Sequence, residues 1–298
     1  MNKEFKPMLA GTLNELDLPN LKFPLILQPK LDGIRCCIVE GKALSRKLKR
    51  IPNKFVRNKL EAFKNRPPVL IDGELVIQDK TFNEIQSAIM SEEGEPNFKY
   101  IIFDALNEWS NESYIHRKRF IDYSLEYTNN LFFVSEVTLD QYEKLDEWEQ
   151  YILKDGHEGI ILRDPFAPYK FGRSTLREQA LLKFKRFQDS EAVIISSNEL
   201  LTNSNILETD ELGYAKRSSA AANLIRTNQL GSWTVVDVNK DSRFYNVEFN
   251  VGSGFTLEQR IKFWKERQDG KVICYKYQAH GSKDKPRSPI WLGFRKDI

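Results

Sequence analysis

The string Lys30-Leu31-Asp32-Gly33-Ile34-Arg35 combines a lysine, an acid, a glycine and a base over one short stretch. A lysine amine has a reference pKa of about 10.4 and becomes a nucleophile only where burial or nearby cations lower that value. Arg35 and Arg46 supply cations close by, and Gly33 permits a tight backbone turn. The string alone has two interpretations, a nucleophilic lysine or an ordinary surface charge.

Charged residues recur at the ends or the centres of apolar runs that are typical of buried strands. Asp72 and Glu74 lie inside such a run, where an acid is costly unless it is paired or bound to a metal ion. Neighbouring strands would bring these charges into one cleft, where cations bind the phosphates of a nucleoside triphosphate and carboxylates hold magnesium. The charges expected to converge are those of Lys30, Glu74, Glu158, Lys183 and Lys185.

The net charge of +3 hides a strong segregation of basic residues. Ten basic residues stand against one acid from Lys42 to Arg66, and seven against one from Lys271 to Lys296. Basic faces of this kind can neutralise the phosphates of a nucleic acid. Solvated faces of ordinary helices have the same composition, so charge alone leaves both interpretations open.

The composition excludes several classes of protein. The 298 residues, 41% of them hydrophobic, fit two globular domains, and no apolar run approaches the roughly 20 residues of a membrane-spanning helix. The N-terminus has no apolar stretch typical of a secretion signal. Three cysteines without a C-x-x-C pair and three scattered histidines predict neither a zinc site nor disulfides, which suits an intracellular location.

The hydrophobic periodicity predicts an α+β fold. Helices are predicted to begin after Asn53, after a Thr81/Glu84 capping box and after Thr256. The apolar face of the first helix carries Val56, Leu60 and Phe63. The apolar face of the last helix carries Leu257, Ile261 and Trp264. Two further helices are expected at 114–127 and 139–153, with a strand at 132–137 between them. The predicted strands lie at 36–39, 43–44, 69–77, 100–104, 158–163 and 181–185.

The chain changes character after Phe187. Short strands at 191–196, 232–238, 244–251, 272–277 and 290–294, together with one helix, predict a small five-stranded barrel. The stretch from Thr202 to Thr227 is rich in Asn, Ser and Thr, and is expected to be either a disordered loop or a flap that orders on a charged partner.

Six short strings of charged and apolar residues follow one another along the chain. They are Lys30–Arg35, Leu44–Arg46, Asp72–Glu74, Tyr100–Asp104, Glu158–Arg163 and Leu182–Lys185. Their order resembles that of the motifs of covalent nucleotidyltransferases, and the chain resembles the minimal virus-type ATP-dependent DNA ligases over nearly its whole length. The resemblance implies a nucleotidyltransferase domain of ATP-grasp-like antiparallel sheets and helices at 1–188. It also implies an OB-fold barrel at 189–298 with a DNA-contacting latch inserted at about 202–230.

The resemblance also implies a three-step reaction with ATP. A lysine attacks the α-phosphorus and releases pyrophosphate, the AMP passes to the 5′-phosphate of a nick, and the 3′-hydroxyl then displaces AMP and seals the strand. Nicked duplex DNA is the implied partner, and the protein is expected to act as a monomer without a membrane, in the host cytoplasm or nucleus if it is viral. The alternative hypotheses are an RNA ligase, an mRNA-capping guanylyltransferase or a non-catalytic nucleic-acid-binding protein.

Matched positions carry implied roles. The catalytic set is Lys30, Asp32, Arg35, Glu74, Glu158, Lys183 and Lys185. The nucleotide-binding set shares most of these residues (Lys30, Arg35, Glu74, Glu158, Lys183 and Lys185) and adds Gln28 for adenine recognition, Phe103 for stacking on adenine and Arg287 for pyrophosphate. Glu74 and Glu158 would hold Mg2+ or Mn2+. The DNA-binding set is Arg35, Ser45, Arg46, Arg173, Lys216 and Arg217. Around Arg287 only the arginine remains of the Arg-x-Asp-Lys string that many relatives have.

Overall fold

The computed structural model describes residues 5–61, 69–108, 111–124, 130–210, 213–218, 220–279 and 282–295. The chain forms two compact units. The first consists of Met1–Lys185 and Thr209–Ala215, and the second of Arg186–Glu208 and Lys216–Ile298. No helix in the described part of the chain has both the length and the apolar character that crossing a bilayer requires.

The first unit contains two five-stranded sheets and four described α-helices. The strands are β1 Gly11–Leu13, β2 Leu25–Pro29, β3 Ile34–Val39, β4 Lys42–Ser45, β5 Leu70–Ile77, β6 Phe98–Leu106, β7 Leu131–Phe133, β8 Val137–Leu139, β9 Ile160–Arg163 and β10 Leu181–Phe184. The helices are α1 Lys54–Leu60, α2 Phe82–Met90, α3 Tyr114–Ser124 and α4 Leu145–Lys154.

The first sheet has the strand order β1-β10-β9-β2-β8, and its register decides where the charged residues meet. Ile160, the first residue of β9, lies opposite Pro29 at the end of β2 and opposite Phe184 at the end of β10. The residues just outside these positions, Lys30, Glu158 and Lys185, therefore lie at one edge of the sheet.

The second sheet has the order β4-β3-β5-β6-β7. Its hairpin between β3 and β4, whose strands the sequence predicted at 36–39 and 43–44, turns at Glu40 and Gly41, which both have positive φ. Apolar residues of α1 and α2, including Val56 and Ile89, are fully buried against this sheet. In the register of β3 with β5, Arg35 lies directly opposite Glu74.

The predicted helix starts are confirmed at Asn53, Thr81 and Thr256. The Asn53 side chain accepts a hydrogen bond from the Val56 N–H at 2.9 Å, and Thr81 and Thr256 form capping boxes with Glu84 and Gln259. Phe63 and residues 125–127, parts of two helix predictions, lie outside the described residues.

The region from 131 to 154 differs from its prediction. A single strand at 132–137 is wrong, because β7 joins the second sheet and β8 joins the first. Leu139 belongs to β8, so the following α-helix begins only at Leu145. The helix ends at Lys154, one residue past the predicted end, and Gly156 has a φ of +85° just beyond its last turn.

In the described residues the second unit has a five-stranded sheet with one α-helix packed on it. Its elements are β11 Gln188–Asn203, β14 Leu224–Asp237, β15 Glu248–Val251, α5 Leu257–Lys265, β16 Val272–Gln278 and β17 Arg287–Phe294. Two short strands, β12 Leu207–Thr209 and β13 Ala215–Arg217, each have residues in both units. The strand order is β15-β14-β11-β16-β17, and a bridge between Ser253 and Ile290 links the two outer strands, as the barrel prediction requires. The strand predicted at 244–251 begins only at Glu248.

An aromatic cluster fills the core of the second unit around the fully buried Trp233. The predicted apolar face of α5 is wrong for Leu257, which is 62% exposed, and for Ile261, which is 37% exposed. It is confirmed for Trp264, which packs partly buried against the core, and the fully inward residue is Phe263. Phe263 packs against Trp233 with ring centroids 5.3 Å apart, so this contact decides which face of α5 turns inward. The other rings close to Trp233 are those of Phe255, Trp291 and Phe294.

The segment between β11 and β14 contains a two-stranded hairpin made by β12 and β13. The long ladder of β11 with β14 continues as far as Asn203 and Leu224, so both ends of the stretch from Thr202 to Thr227 belong to strands. The interpretation as a disordered loop is therefore wrong for the described residues of this segment.

Asn53 provides a test of how α1 is held. Its fully buried side chain caps the helix and donates to the Ser91 carbonyl at 3.0 Å, with three further carbonyls within 3.4 Å. We expect Asn53→Ala to lower the free energy of unfolding by about 2–3 kcal/mol, because the cap is lost and buried carbonyls lose their donor. Urea denaturation followed by circular dichroism measures this change. The exposed Asn83→Ala should stay within about 0.5 kcal/mol of wild type, and an unchanged midpoint for Asn53→Ala would contradict the assigned role.

Candidate active site

Lys30 lies directly after β2, and its backbone and side chain are both held by the segment that opens β9. Its N–H donates to the Gly159 carbonyl at 2.8 Å, and its ammonium forms an ion pair with Glu158 Oε2. The Lys185 ammonium pairs with the other oxygen, Glu158 Oε1. The Glu158 side chain is only 4% exposed, so one buried carboxylate lies between two lysines.

Two glycines allow the backbones around Lys30 to approach each other closely. A Cβ on Gly159 would lie 2.4 Å from the Phe184 carbonyl oxygen, and one on Gly33 would lie 2.3 Å from the Leu75 carbonyl oxygen. Both distances are far below van der Waals contact. Gly33 is thus required for close packing against β5, in addition to the turn that the sequence suggested.

Asp72 is fully buried in β5 and is paired, as the sequence analysis required of an acid there. Arg35 donates to both carboxylate oxygens at 2.6 and 2.5 Å, and the Tyr169 hydroxyl donates at 2.5 Å. Burial acts to lower the pKa of Arg35, but the Asp72 charge and the hydrogen bonds to Asp72, together with smaller contributions from Cys37 and Tyr169, outweigh it and hold that pKa well above its ordinary value. Arg35 also lies over the Phe103 ring at 4.6 Å.

A cavity of about 260 Å3 opens beside Lys30 within the first unit. Its lining mixes cations, one carboxyl group, an aromatic ring and apolar side chains. This combination suits a ligand that has both a phosphate chain and a flat apolar ring system. The predicted site residues that line it are Gln28, Lys30, Arg35, Arg46, Glu74, Phe103, Arg173 and Lys183.

Two groups that line this cavity, Glu74 and Lys183, have pKa values shifted mainly by burial. Burial raises the pKa of Glu74 from 4.5 to about 7, although Arg35 and Lys30 oppose the shift. Burial also lowers the pKa of Lys183, and the Lys30 charge adds to that effect. Shifts of this kind are common at catalytic and phosphate-binding sites.

The other predicted site residues lie elsewhere. Ser45 is buried, and its hydroxyl accepts the N–H groups of Lys47 and Lys49 at 3.3 and 3.2 Å, which fixes the turn that carries Arg46. Asp32 is half-buried next to the Lys30 segment and does not line the cavity. The second unit contains Lys216 and Arg217 in β13 and Arg287 at the start of β17.

Arg163 also lines the cavity, although sequence reasoning gave it no role. It is buried in β9, forms an ion pair with Asp104 together with Arg117, and lies over the Tyr114 ring at 4.2 Å. A sequence signal existed, because both Asp104 and Arg163 stand at the ends of apolar strand runs.

Comparison with known proteins decides the family. A family model described as "ATP dependent DNA ligase domain" matches residues 7–185, and one described as "DNA ligase OB-like domain" matches residues 227–295. The chain belongs to the ATP-dependent DNA ligases. A solved structure of Chlorella virus DNA ligase-adenylate is 33% identical to this ligase, covers 99% of both chains and has a TM-score of 0.55.

Two further relatives agree with this assignment. A DNA ligase of Haemophilus influenzae is 25% identical over 267 residues, which are 88% of this chain and 83% of that protein. A solved Lig E DNA ligase has a TM-score of 0.71 at 22% identity, covers 97% of this chain and 99% of its own, and shows the fold. The protein is therefore an ATP-dependent enzyme that seals nicks in DNA, with a nucleotidyltransferase domain and an OB-like domain. The comparisons do not favour the alternative hypotheses of an RNA ligase, a guanylyltransferase or a non-catalytic nucleic-acid-binding protein.

Glu74 makes the stability of the ligase depend on pH. The carboxyl group gives up its proton near pH 7 in the folded protein but near 4.5 in the unfolded chain, so the free energy of unfolding falls as the pH rises through this window. We expect Glu74→Gln to gain stability relative to wild type between these two values, by about 1–3 kcal/mol, and to keep that gain above pH 7. Urea denaturation at several pH values measures the difference.

The exposed Glu147→Gln serves as the control and should differ from wild type by less than about 1 kcal/mol at each pH. A pH-independent difference for Glu74→Gln would show that Glu74 titrates normally in the folded protein.

Proposed function

We propose that Lys30 is the nucleophile of this ligase. Its Nζ attacks the α-phosphorus of ATP, so that an N–P bond forms, the bond from that phosphorus to the bridging oxygen breaks, and pyrophosphate leaves. The contact of Nζ with the buried Glu158 carboxylate is the observation that supports this role most directly, because it fixes the amine beside the cavity and provides an acceptor for its proton.

The remaining residues of the site, in the cavity wall and next to Glu158, receive complementary roles in this proposal. Lys183 and Lys185 neutralise charge on the phosphates, and Phe103 packs against adenine. Arg35 and Arg46 then bind the 5′-phosphate of the nick, which accepts AMP from Lys30. In the last step the 3′-hydroxyl attacks that 5′-phosphorus and AMP leaves. Such displacements depend mainly on positioning and on charge neutralisation.

Glu74 and Glu158 would take part in holding Mg2+ or Mn2+. In the described residues no group of three or more His, Cys, Asp and Glu side chains gathers into a metal cage. One or two carboxylates beside a phosphate-binding cavity fit a hard cation that binds mainly through the phosphates and water. The bound ion would neutralise charge on the phosphates.

Two domains with different tasks complete the proposal. Residues 1–188 adenylylate Lys30, and residues 189–298 form the barrel whose inserted latch, at about 202–230, contacts duplex DNA through Lys216 and Arg217. One chain carries every predicted site residue, which supports action as a monomer. The thiols of Cys36, Cys37 and Cys274 are free, which supports an intracellular location.

Removal of the Lys30 amine tests the nucleophile. We expect Lys30→Ala to reduce covalent labelling by α-labelled ATP by on the order of a thousandfold or more, because the variant lacks the nitrogen that forms the bond to phosphorus. The same variant should still seal a nick that already carries AMP on its 5′-phosphate, because that step does not need the amine as a nucleophile.

Lys80→Ala is the matched control, because Lys80 is half-exposed and forms an ion pair with Glu84 on the neighbouring turn, away from the cavity lining. It should label like wild type. Full labelling of Lys30→Ala would overturn the assignment of the nucleophile.

Lys216 tests the latch separately from the chemistry. The side chain is exposed on β13. We expect Lys216→Ala to weaken binding to nicked duplex about 2- to 10-fold and to reduce the slope of log K against log salt by about one. Labelling by ATP should be unchanged. Lys154→Ala, at the exposed last residue of α4, should leave both measurements at wild-type values. Equal loss of binding and labelling in Lys216→Ala would contradict a DNA-binding role.

A further inference from the structure

The 5–10 segment runs beside the cavity and pairs with the chain that precedes β10. The Leu9 N–H donates to the Gly172 carbonyl and the Leu9 carbonyl accepts from the Ser174 N–H, both at 2.8 Å. Leu9 and Ala10 line the cavity, although sequence reasoning gave this segment no role. The 5–10 segment is therefore part of the wall of the site.

Two arginines of the cavity donate to main-chain carbonyls of the 5–10 segment. Arg35 Nη2 donates to the Met8 carbonyl at 3.1 Å, and Arg173 Nη1 donates to the Ala10 carbonyl at 2.8 Å. These carbonyls lie on either side of Leu9, so one short stretch of backbone holds both guanidinium groups. Both arginines belong to the predicted DNA-binding set, and both line the cavity.

Tyr169 links the same segment to the acid that pairs with Arg35. Its hydroxyl accepts from the Met8 N–H at 3.0 Å and donates to Asp72 Oδ2 at 2.5 Å. A backbone N–H can only donate, so the hydroxyl proton is directed at the carboxylate. Burial raises the pKa of Tyr169, and the Asp72 charge adds to that shift, so the hydroxyl keeps its proton. The hydrogen bonds form a closed ring that runs through Arg35, Asp72, Tyr169 and Met8.

The beginning of the 5–10 segment is held by aromatic contacts. The Phe5 ring stacks on Tyr169 with centroids 6.5 Å apart and an angle of 23° between the planes. It also meets Phe171 edge to face at 5.4 Å. Met8, which follows, is only 2% exposed. Packing therefore acts together with hydrogen bonding to fix the two carbonyls that hold the arginines.

The contacts with the protein use only part of each guanidinium group. Arg35 donates through Nε and Nη2, and Arg173 donates through Nη1. Within the described residues, the remaining nitrogens of these two side chains have no hydrogen-bond partner. A guanidinium group binds phosphate through pairs of N–H groups in one plane, so its orientation decides how well it binds.

We propose that the 5–10 segment and Tyr169 are positioning elements that hold Arg35 and Arg173 in the orientation that binds the 5′-phosphate of a nick. This proposal rests on the proposed binding of that phosphate by Arg35. A guanidinium group that is free to rotate still attracts the DNA backbone by its charge, but it loses the paired hydrogen bonds to one phosphate. The segment therefore contributes to recognition of the 5′-phosphate and not to general affinity for DNA.

Tyr169→Phe tests the proposal because it removes the hydroxyl from the ring of hydrogen bonds and keeps the aromatic packing. Two nicked duplexes serve as probes, one with a 5′-phosphate at the nick and one with a 5′-hydroxyl. Both carry a dideoxynucleotide at the 3′ side of the nick, so that no strand is sealed. The ligase is first treated with ATP, and binding is then measured in excess EDTA, which stops transfer of the AMP. We expect the preference for the 5′-phosphate, the ratio of the two Kd values, to fall about 5-fold or more.

Phe5→Ala provides a second variant, which keeps every polar contact of the ring of hydrogen bonds. It loosens the 5–10 segment, so a smaller fall in the same ratio is expected. Tyr151→Phe and Leu16→Ala are the matched controls, because both side chains are largely exposed. Both controls should keep the wild-type ratio.

A merely structural role of Tyr169 would weaken binding to both duplexes in proportion, and an unchanged ratio in both variants would overturn the proposal. Circular dichroism shows whether Tyr169→Phe folds, and if it does not, the ratio for Phe5→Ala decides. A wild-type ligase without any preference for the 5′-phosphate would overturn the binding role of Arg35, and the positioning proposal with it. The two proposals therefore fail in different ways.

Discussion

The pairing of the Glu158 carboxylate with two lysines is the interaction on which the site depends. A buried charge is tolerated only when it is paired with good geometry. Both partners of Glu158 lie at strand ends, Lys30 after β2 and Lys185 after β10, and β9 runs between these two strands. The sheet order therefore has a chemical consequence, because a shift of register by one residue would leave the carboxylate without one of its cations.

Two more buried acids connect the two sheets of the first unit. Asp72 in β5 binds Tyr169 from the segment between β9 and β10, and Asp104 in β6 pairs with Arg163 in β9. Each acid belongs to the second sheet and at least one partner belongs to the first sheet or its connections. Apolar packing alone is non-directional, whereas these pairs align the two sheets in one arrangement. The cavity wall that carries Arg35 and Arg163 is built from the same pairs, so its shape is largely set before a ligand enters.

Sequence reasoning succeeded where a local rule acts alone. Helix caps at Asn53 and Thr81 and charges at strand ends could be read directly, because capping and alternation act over a few residues. It failed where distant partners decide. The inward face of α5 depends on Trp233, and the division of 131–139 between two sheets depends on strands far away in sequence. The side chains that accept hydrogen bonds from Gln28, those of Tyr114 and Glu136, lie 86 and 108 residues away in sequence, and no periodicity points to them.

The aromatic cluster of the second unit also determines how the protein can be observed. Of the five tryptophans, Trp233, Trp264 and Trp291 belong to this unit, and the indoles of Trp233 and Trp291 stand 5.8 Å apart. Indole rings this close couple optically, so the packed core of the barrel contributes to the near-ultraviolet circular dichroism of the folded protein. Melting of the barrel can therefore be recorded in the unlabelled ligase while the far-ultraviolet signal follows both units together.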